Sequence, residues 1–182
     1  MKILLDPGHG GNKPGAVYAG VKEADLNLEV ALAAGHLLRE KGHSVLFTRD
    51  NDKGISLTQR KDMINEYRPG CFVSIHCNAA LDHTAKGVEA FYRDDRDYPL
   101  ANIIQQHLAA MTGFTDRGVF QDVGRLGKRL TVLDDSPNIP AALVELGFID
   151  NDEDRMYLTK NIFTVADILA DAIDDYAGRK GP

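Results

Sequence analysis

A chain of 182 residues and 20.0 kDa has the length of one ordinary domain, enough to bury a single substantial core. Its 43% hydrophobic and 26% charged residues are globular values, and no apolar run approaches the ~20 residues that cross a bilayer, so no membrane association is expected. A net charge of −6 and a pI near 5.5 argue against a nucleic-acid-binding surface. The one basic cluster, Arg125-Leu126-Gly127-Lys128-Arg129, reads as a solvated loop.

In chain order, Lys2-Ile3-Leu4-Leu5 predicts a short buried strand closed by Asp6-Pro7-Gly8-His9-Gly10-Gly11, where proline and glycine stop regular structure. This loop lacks both GxGxxG spacing and a following Gly-Lys-Ser/Thr, so it is not a phosphate cradle. No basic segment, apolar core and cleavage site of a signal peptide precedes it. Leu28, Ala31, Leu32, Gly35 and Leu38 recur at helical spacing between Ala24 and Lys41, with Glu23 at the start and Gly42 as the stop. A strand over 44–48 and a helix capped by Ser56 or Thr58 and running to Tyr67 follow.

Cys71-Phe72-Val73-Ser74-Ile75-His76-Cys77-Asn78 reads as a strand buried on both faces that ends in a polar loop. Alternation sets its two cysteines about 20 Å apart at ~3.3 Å per residue, too far to bridge, and points Cys77 away from the face carrying His76. Both are expected as core thiols. Val88 to Tyr92 predicts a strand with one wet face, 99–111 a helix, and 113–129 little pattern. Leu130-Thr131-Val132-Leu133 suggests a short strand ended by Asp134 to Pro137, and 139–148 the last buried strand. A helix to Leu158 and an amphipathic helix over 163–176 close the chain, giving an α/β sandwich around a mainly parallel sheet. We read 1–177 as one domain and 178–182 as a tail or the start of a linker.

Three titratable groups fall at or just past the carboxyl ends of these strands, where open α/β sheets bind ligands: His9, His76 and Glu145. A carboxylate within Ala142-Leu143-Val144-Glu145-Leu146 needs a cation, a metal or a raised pKa; Arg60 or Arg49 would make a plain salt bridge. Two histidines and one carboxylate suffice for a catalytic Zn²⁺, and either Glu23 or Glu145 can supply the carboxylate. Spacing does not choose between them. His36, His43, His83 and His107 are read as surface or supporting residues.

Seven ordered motifs resemble the zinc-dependent N-acetylmuramoyl-L-alanine amidases of the type 3 amidase family. They are Asp6 to Gly11, Lys22-Glu23 with Asn27, Thr48-Arg49-Asp50, Leu57-Thr58-Gln59-Arg60, Phe72 to Ala79, Gly87-Val88-Glu89, and Pro140 to Phe148 with Asn151. The resemblance implies that His9, Glu23 and His76 bind zinc and that Glu145 is the catalytic acid/base. It also implies a twisted sheet of about six strands flanked by helices, and a substrate amide between the lactyl group of N-acetylmuramic acid and the L-alanine of the peptidoglycan stem. Asn78 is a candidate for hydrogen bonding that peptide, or for a purely structural loop role. A zinc peptidase or deacetylase acting on another amide, and a non-catalytic wall-binding module, are the alternative readings. The span from Gly87 to Leu133 leaves no room for the inserted regulatory helix of cell-division relatives, which resembles the phage endolysin and Gram-positive autolysin type. The remaining expectations are a monomer that acts on the bacterial wall, as a phage lysin, a mother-cell enzyme or a domain excised from a secreted protein. An acidic catalytic domain also suggests a separate wall-binding module beyond Pro182.

Overall fold

The computed structural model describes residues 1–134 and 139–179. In chain order the elements are β1 (Lys2–Pro7), β2 (Val17–Tyr18), β3 (Val21–Lys22), α1 (Glu23–Glu40), β4 (Ser44–Phe47), α2 (Leu57–Tyr67) and β5 (Cys71–Asn78). Then come β6 (Val88–Tyr92), α3 (Tyr98–Thr112), β7 (Asp116–Gln121), α4 (Asp122–Leu126) and α5 (Thr131–Asp134). The chain closes with β8 (Ala141–Phe148), α6 (Asp152–Lys160) and α7 (Ile162–Arg179). The sheet order is β4-β1-β5-β8-β6-β7, with β2 and β3 as a separate hairpin. All pairings in the six-stranded sheet are parallel except β6 against β8, in keeping with the mainly parallel α/β architecture read from the sequence.

Alternation sorts the sheet's side chains onto two unequal faces. Ile3, Leu5, Val73, Ile75, Val144 and Leu146 pack under α1, α3 and α7 in the main core. Leu4, Phe72, Phe91 and Leu143 point the other way into a smaller cluster closed by Ile64 of α2 and Leu133 of α5. At the carboxyl ends of the strands this second face turns polar, carrying Asp6, Ser74, His76 and Glu145 at the positions that continue the same alternation. The thinner helical cover therefore lies on the side where the titratable groups emerge.

Local chemistry accounts for the element ends. Ser56 accepts from the Gln59 amide while the Gln59 side chain accepts from the Ser56 amide, a capping box that opens α2. Asn151 caps α6 through the amides of Glu153 and Asp154. No described helix is long and apolar enough to cross a membrane.

Three expectations are corrected. The segment read as a strand over 130–133 is instead the single helical turn α5; a short apolar run does not distinguish the two, and here burial of Leu133 against the second face decides. The weakly patterned 113–129 contains β7, an edge strand that is only partly buried and so lacks a clear alternation. The strand β6 has no wet face, because Glu89 is 4% exposed beneath Asn78 and Arg117. α7 also outruns the expected 163–176 by one residue at its start and three at its end, and 135–138 and 180–182 lie outside the described residues.

Candidate active site

His9 stands in the loop after β1, Glu23 is the first residue of α1, and His76 is near the end of β5. One ligand atom from each lies within 4.8 Å of the others. The Nε2 of His9 is 3.0 Å from Glu23 Oε2, and the Nδ1 of His76 is 2.9 Å from Glu23 Oε1. The two imidazoles meet edge to face, with centroids 5.0 Å apart.

Glu23 is 4% exposed and braced from several directions. Its Oε2 accepts from the Ala16 amide, and its Oε1 from the Cys77 amide and from Asn27 Nδ2 one helical turn along. Burial would raise its carboxyl, but the hydrogen bonds to His76 and His9, the charge of His76 and the Ala16 amide outweigh it, so Glu23 stays well below the usual carboxylate range. Burial lowers the pKa of His76, with Glu23 opposing. A neutral imidazole and an ionised carboxylate are the forms that ligate a divalent cation. Two imidazoles and a carboxylate match the three-ligand pattern of catalytic zinc, so the residues fit the metal that the sequence resemblance implies.

Two glycines make room for this cluster. A Cβ on Gly8 would come within 2.2 Å of the His76 ring, and one on Gly15, at φ +71°, within 2.3 Å of Glu23 Oε2. His9 itself has φ 61°, an uncommon backbone state for a residue with a side chain. Gly8→Ala is expected to displace His76 and lower zinc affinity by about 10–100-fold, the usual consequence of disturbing a ligand's support, measured by competition with a chromogenic chelator. Unchanged affinity would show that His76 does not hold the metal.

The loop is held to the scaffold by two buried arginines. Arg49, 1% exposed, donates to the carbonyls of Pro7 at 3.0 Å, Gly8 at 2.8 Å and Ala24 at 2.7 Å, joining the His9 loop to the start of α1. Arg60 pairs with Asp6 and donates to the carbonyls of Pro7 and His9. Asp6 also accepts from Thr48 at 2.5 Å and from Ser74 at 2.6 Å. Neither arginine is the partner of Glu145 that the sequence allowed, and an acid ending the buried β1 was the available sign that Arg60 belonged elsewhere.

Glu145 is paired in register with His76 on the adjacent strand and with Glu89 on its other side. Its Oε2 is enclosed and has no hydrogen-bond partner among the described residues. Burial, then the charges of Glu23 and Glu89, push its carboxyl well above the usual range. Asn78, two residues past His76 on the same face, donates to Glu89 Oε1 at 2.6 Å and accepts from the Ala79 amide. Glu89 is further bound by Arg117 Nε at 2.9 Å. The Cys77 side chain is 3% exposed and packs in the main core, while its amide holds Glu23. The other histidines lie apart: His36 near Glu40, His43 on Asp174, His83 on Asp150 and His107 near Asp175. A cleft of about 430 Å³ opens beside His9 and His76 along the second face of the sheet.

A family model described as N-acetylmuramoyl-L-alanine amidase matches residues 3–175. The N-acetylmuramoyl-L-alanine amidase CwlM of Bacillus licheniformis is 35% identical over 170 residues, 90% of this chain but 62% of that protein. The chain therefore spans less than two thirds of that relative. The catalytic domain of CwlV, an N-acetylmuramoyl-L-alanine amidase from Bacillus (Paenibacillus) polymyxa, superposes with a TM-score of 0.89 at 28% identity, covering 97% of this chain and 98% of that one. An N-acetylmuramoyl-L-alanine amidase from Clostridium difficile 630 gives a TM-score of 0.89 at 31% identity, covering 99% and 98%.

Proposed function

Because the chain belongs to the N-acetylmuramoyl-L-alanine amidase family, we propose that it hydrolyses the amide between the lactyl group of N-acetylmuramic acid and the L-alanine of the peptidoglycan stem. The observation that carries this reading is the pairing of a convergent His9, Glu23 and His76 with Glu145 on the neighbouring strand, whose enclosed Oε2 has no hydrogen-bond partner among the described residues. His9, Glu23 and His76 would hold the zinc. Bound there, zinc supplies Lewis acidity for the scissile carbonyl and brings the pKa of water towards ~7.

Glu145 then serves as the proton carrier. A carboxylate raised towards the working pH takes a proton from the attacking water and returns it to the departing L-alanine amine. Asn78 fits a role at the substrate's peptide backbone, and its bond to Glu89 would fix the amide's orientation. The family's substrate fits action at the bacterial wall, and we read the chain as acting as a monomer. The test is metal analysis of the purified protein together with release of free L-alanine amino groups from purified cell wall. One bound zinc and released amino groups support the proposal; liberation of reducing sugar or of internal stem amines instead would overturn it.

A further inference from the structure

Asn27 stands where the fold alone would favour an apolar residue. It lies one turn into α1, at the head of the stripe that Val30, Ala31, Ala34 and Leu38 carry into the main core, and it is fully buried. Asparagine is a poorer helix former than leucine. Its Oδ1 is enclosed and has no hydrogen-bond partner among the described residues, which costs the fold the desolvation of that oxygen. Turning the amide end over end would not repair this, because Oδ1 would then face the two acceptors that Nδ2 now meets.

Those two contacts are what the side chain offers in return. Nδ2 is 3.3 Å from Oε1 of Glu23, four residues back on the same helix, and 3.5 Å from the carbonyl of Gly8, in the loop that carries His9. The Gly8 carbonyl already accepts from Arg49 at 2.8 Å, so the loop does not depend on Asn27. Oε1 is the Glu23 oxygen that meets His76 Nδ1 at 2.9 Å and the Cys77 amide at 3.2 Å, while the Ala16 amide holds Oε2. Asn27 is therefore the brace on Oε1 that comes from the helix on which Glu23 itself sits.

We propose that Asn27 is a positioning residue of the metal site: it holds the Glu23 carboxylate in the orientation that faces both imidazoles, and the fold is less stable for carrying it. This rests on the reading of His9, Glu23 and His76 as zinc ligands. The last torsion of a glutamate is broad, so the plane of its carboxylate is set by what binds the oxygens. Without the Asn27 amide, Glu23 keeps its charge and its other donors but loses the restraint from α1. The outer partners of a ligating carboxylate govern metal affinity in this way.

Asn27→Leu separates the two effects, because it puts methyl groups where the amide has its oxygen and nitrogen. The zinc dissociation constant is measured by competition with a chromogenic chelator, and the melting temperature on the metal-free chain. Zinc is expected to bind about tenfold more weakly. The metal-free melting temperature is expected to equal or exceed that of the parent, whereas a residue serving the fold alone would lower it. Parental zinc affinity in Asn27→Leu, or a metal-free melting temperature that falls along with the affinity, overturns the proposal. If leucine prevents folding, Asn27→Ser, too small to overpack, decides by affinity: about tenfold weaker binding supports the proposal and parental affinity overturns it. The parent chain reports on the underlying reading. Zinc bound without release of amino groups from cell wall removes the amidase reading and leaves this role of Asn27, whereas a parent that binds no zinc removes both.

Discussion

Replacing Glu145 by alanine is expected to leave zinc content intact and to lower release of L-alanine amino groups from cell wall by about 10²–10⁴-fold, the usual worth of a positioned acid/base. His76→Ala is expected to lose both metal and activity, because it removes one of three converging donors. The contrast is what tests the assignment. Activity retained in Glu145→Ala, or zinc retained at full stoichiometry in His76→Ala, would contradict it. The pH dependence has a definite sign. Burial beside Glu23 and Glu89 raises the Glu145 pKa, so the proton-accepting form appears only as pH rises through that value, and kcat/KM should climb with pH there. The same shift makes the ionised group a cost to the fold. Stability associated with protonated Glu145 is full below the ordinary carboxylate value of ~4.3 and is lost as pH rises through the raised one. Glu145→Gln should therefore be more stable than the parent at neutral pH when both are stripped of metal, a readout independent of turnover.

Asp6→Ala is expected to destabilise the chain by about 3–5 kcal/mol, as removal of one partner from a buried ion pair does. Arg60 is 4% exposed, and burial already draws its pKa down to about 10, so it would lose its compensating charge. The Thr48 and Ser74 hydroxyls would lose their acceptor as well. Urea unfolding should show a lower midpoint with an unchanged slope. A loss under about 1 kcal/mol would mean that Asp6 and Arg60 are not paired in the fold. The variant should also bind zinc more weakly, since Arg60 holds the carbonyl of His9.

The parts of the fold legible in the sequence were those whose burial is one-sided or complete. β1, β5 and β8 each carry a mostly buried apolar stretch with few polar residues, and α1 and α7 carry apolar stripes at helical spacing, so their packing partners scarcely matter to their recognition. β7 and α5 were not legible, because an edge strand paired only with β6 and a single turn fixed by Leu133 are settled by tertiary contacts. At the site, spacing located three groups at strand ends but left Glu23 and Glu145 interchangeable. The distinction lies in their surroundings: Glu23 receives amides and imidazoles, while Glu145 has an enclosed oxygen with no partner among the described residues. Those are long-range facts that a one-dimensional pattern does not carry. The roles of Arg49 and Arg60 were hidden for a related reason, since most of their bonds go to backbone carbonyls, which every residue possesses.

Cys71 and Cys77 are free, buried and far from ready ionisation, with burial pushing Cys71 up to about 12 and Cys77 also well above its usual value. At pH 7 a thiol of pKa about 12 is ionised in only about one molecule in 10⁵, and both sulfurs are shielded by the core. The folded protein should stay colourless with an aromatic disulfide reagent and release two equivalents of chromophore only as the sheet opens. Two native residues on one central strand thus provide a built-in clock for global opening, readable without tag or substrate.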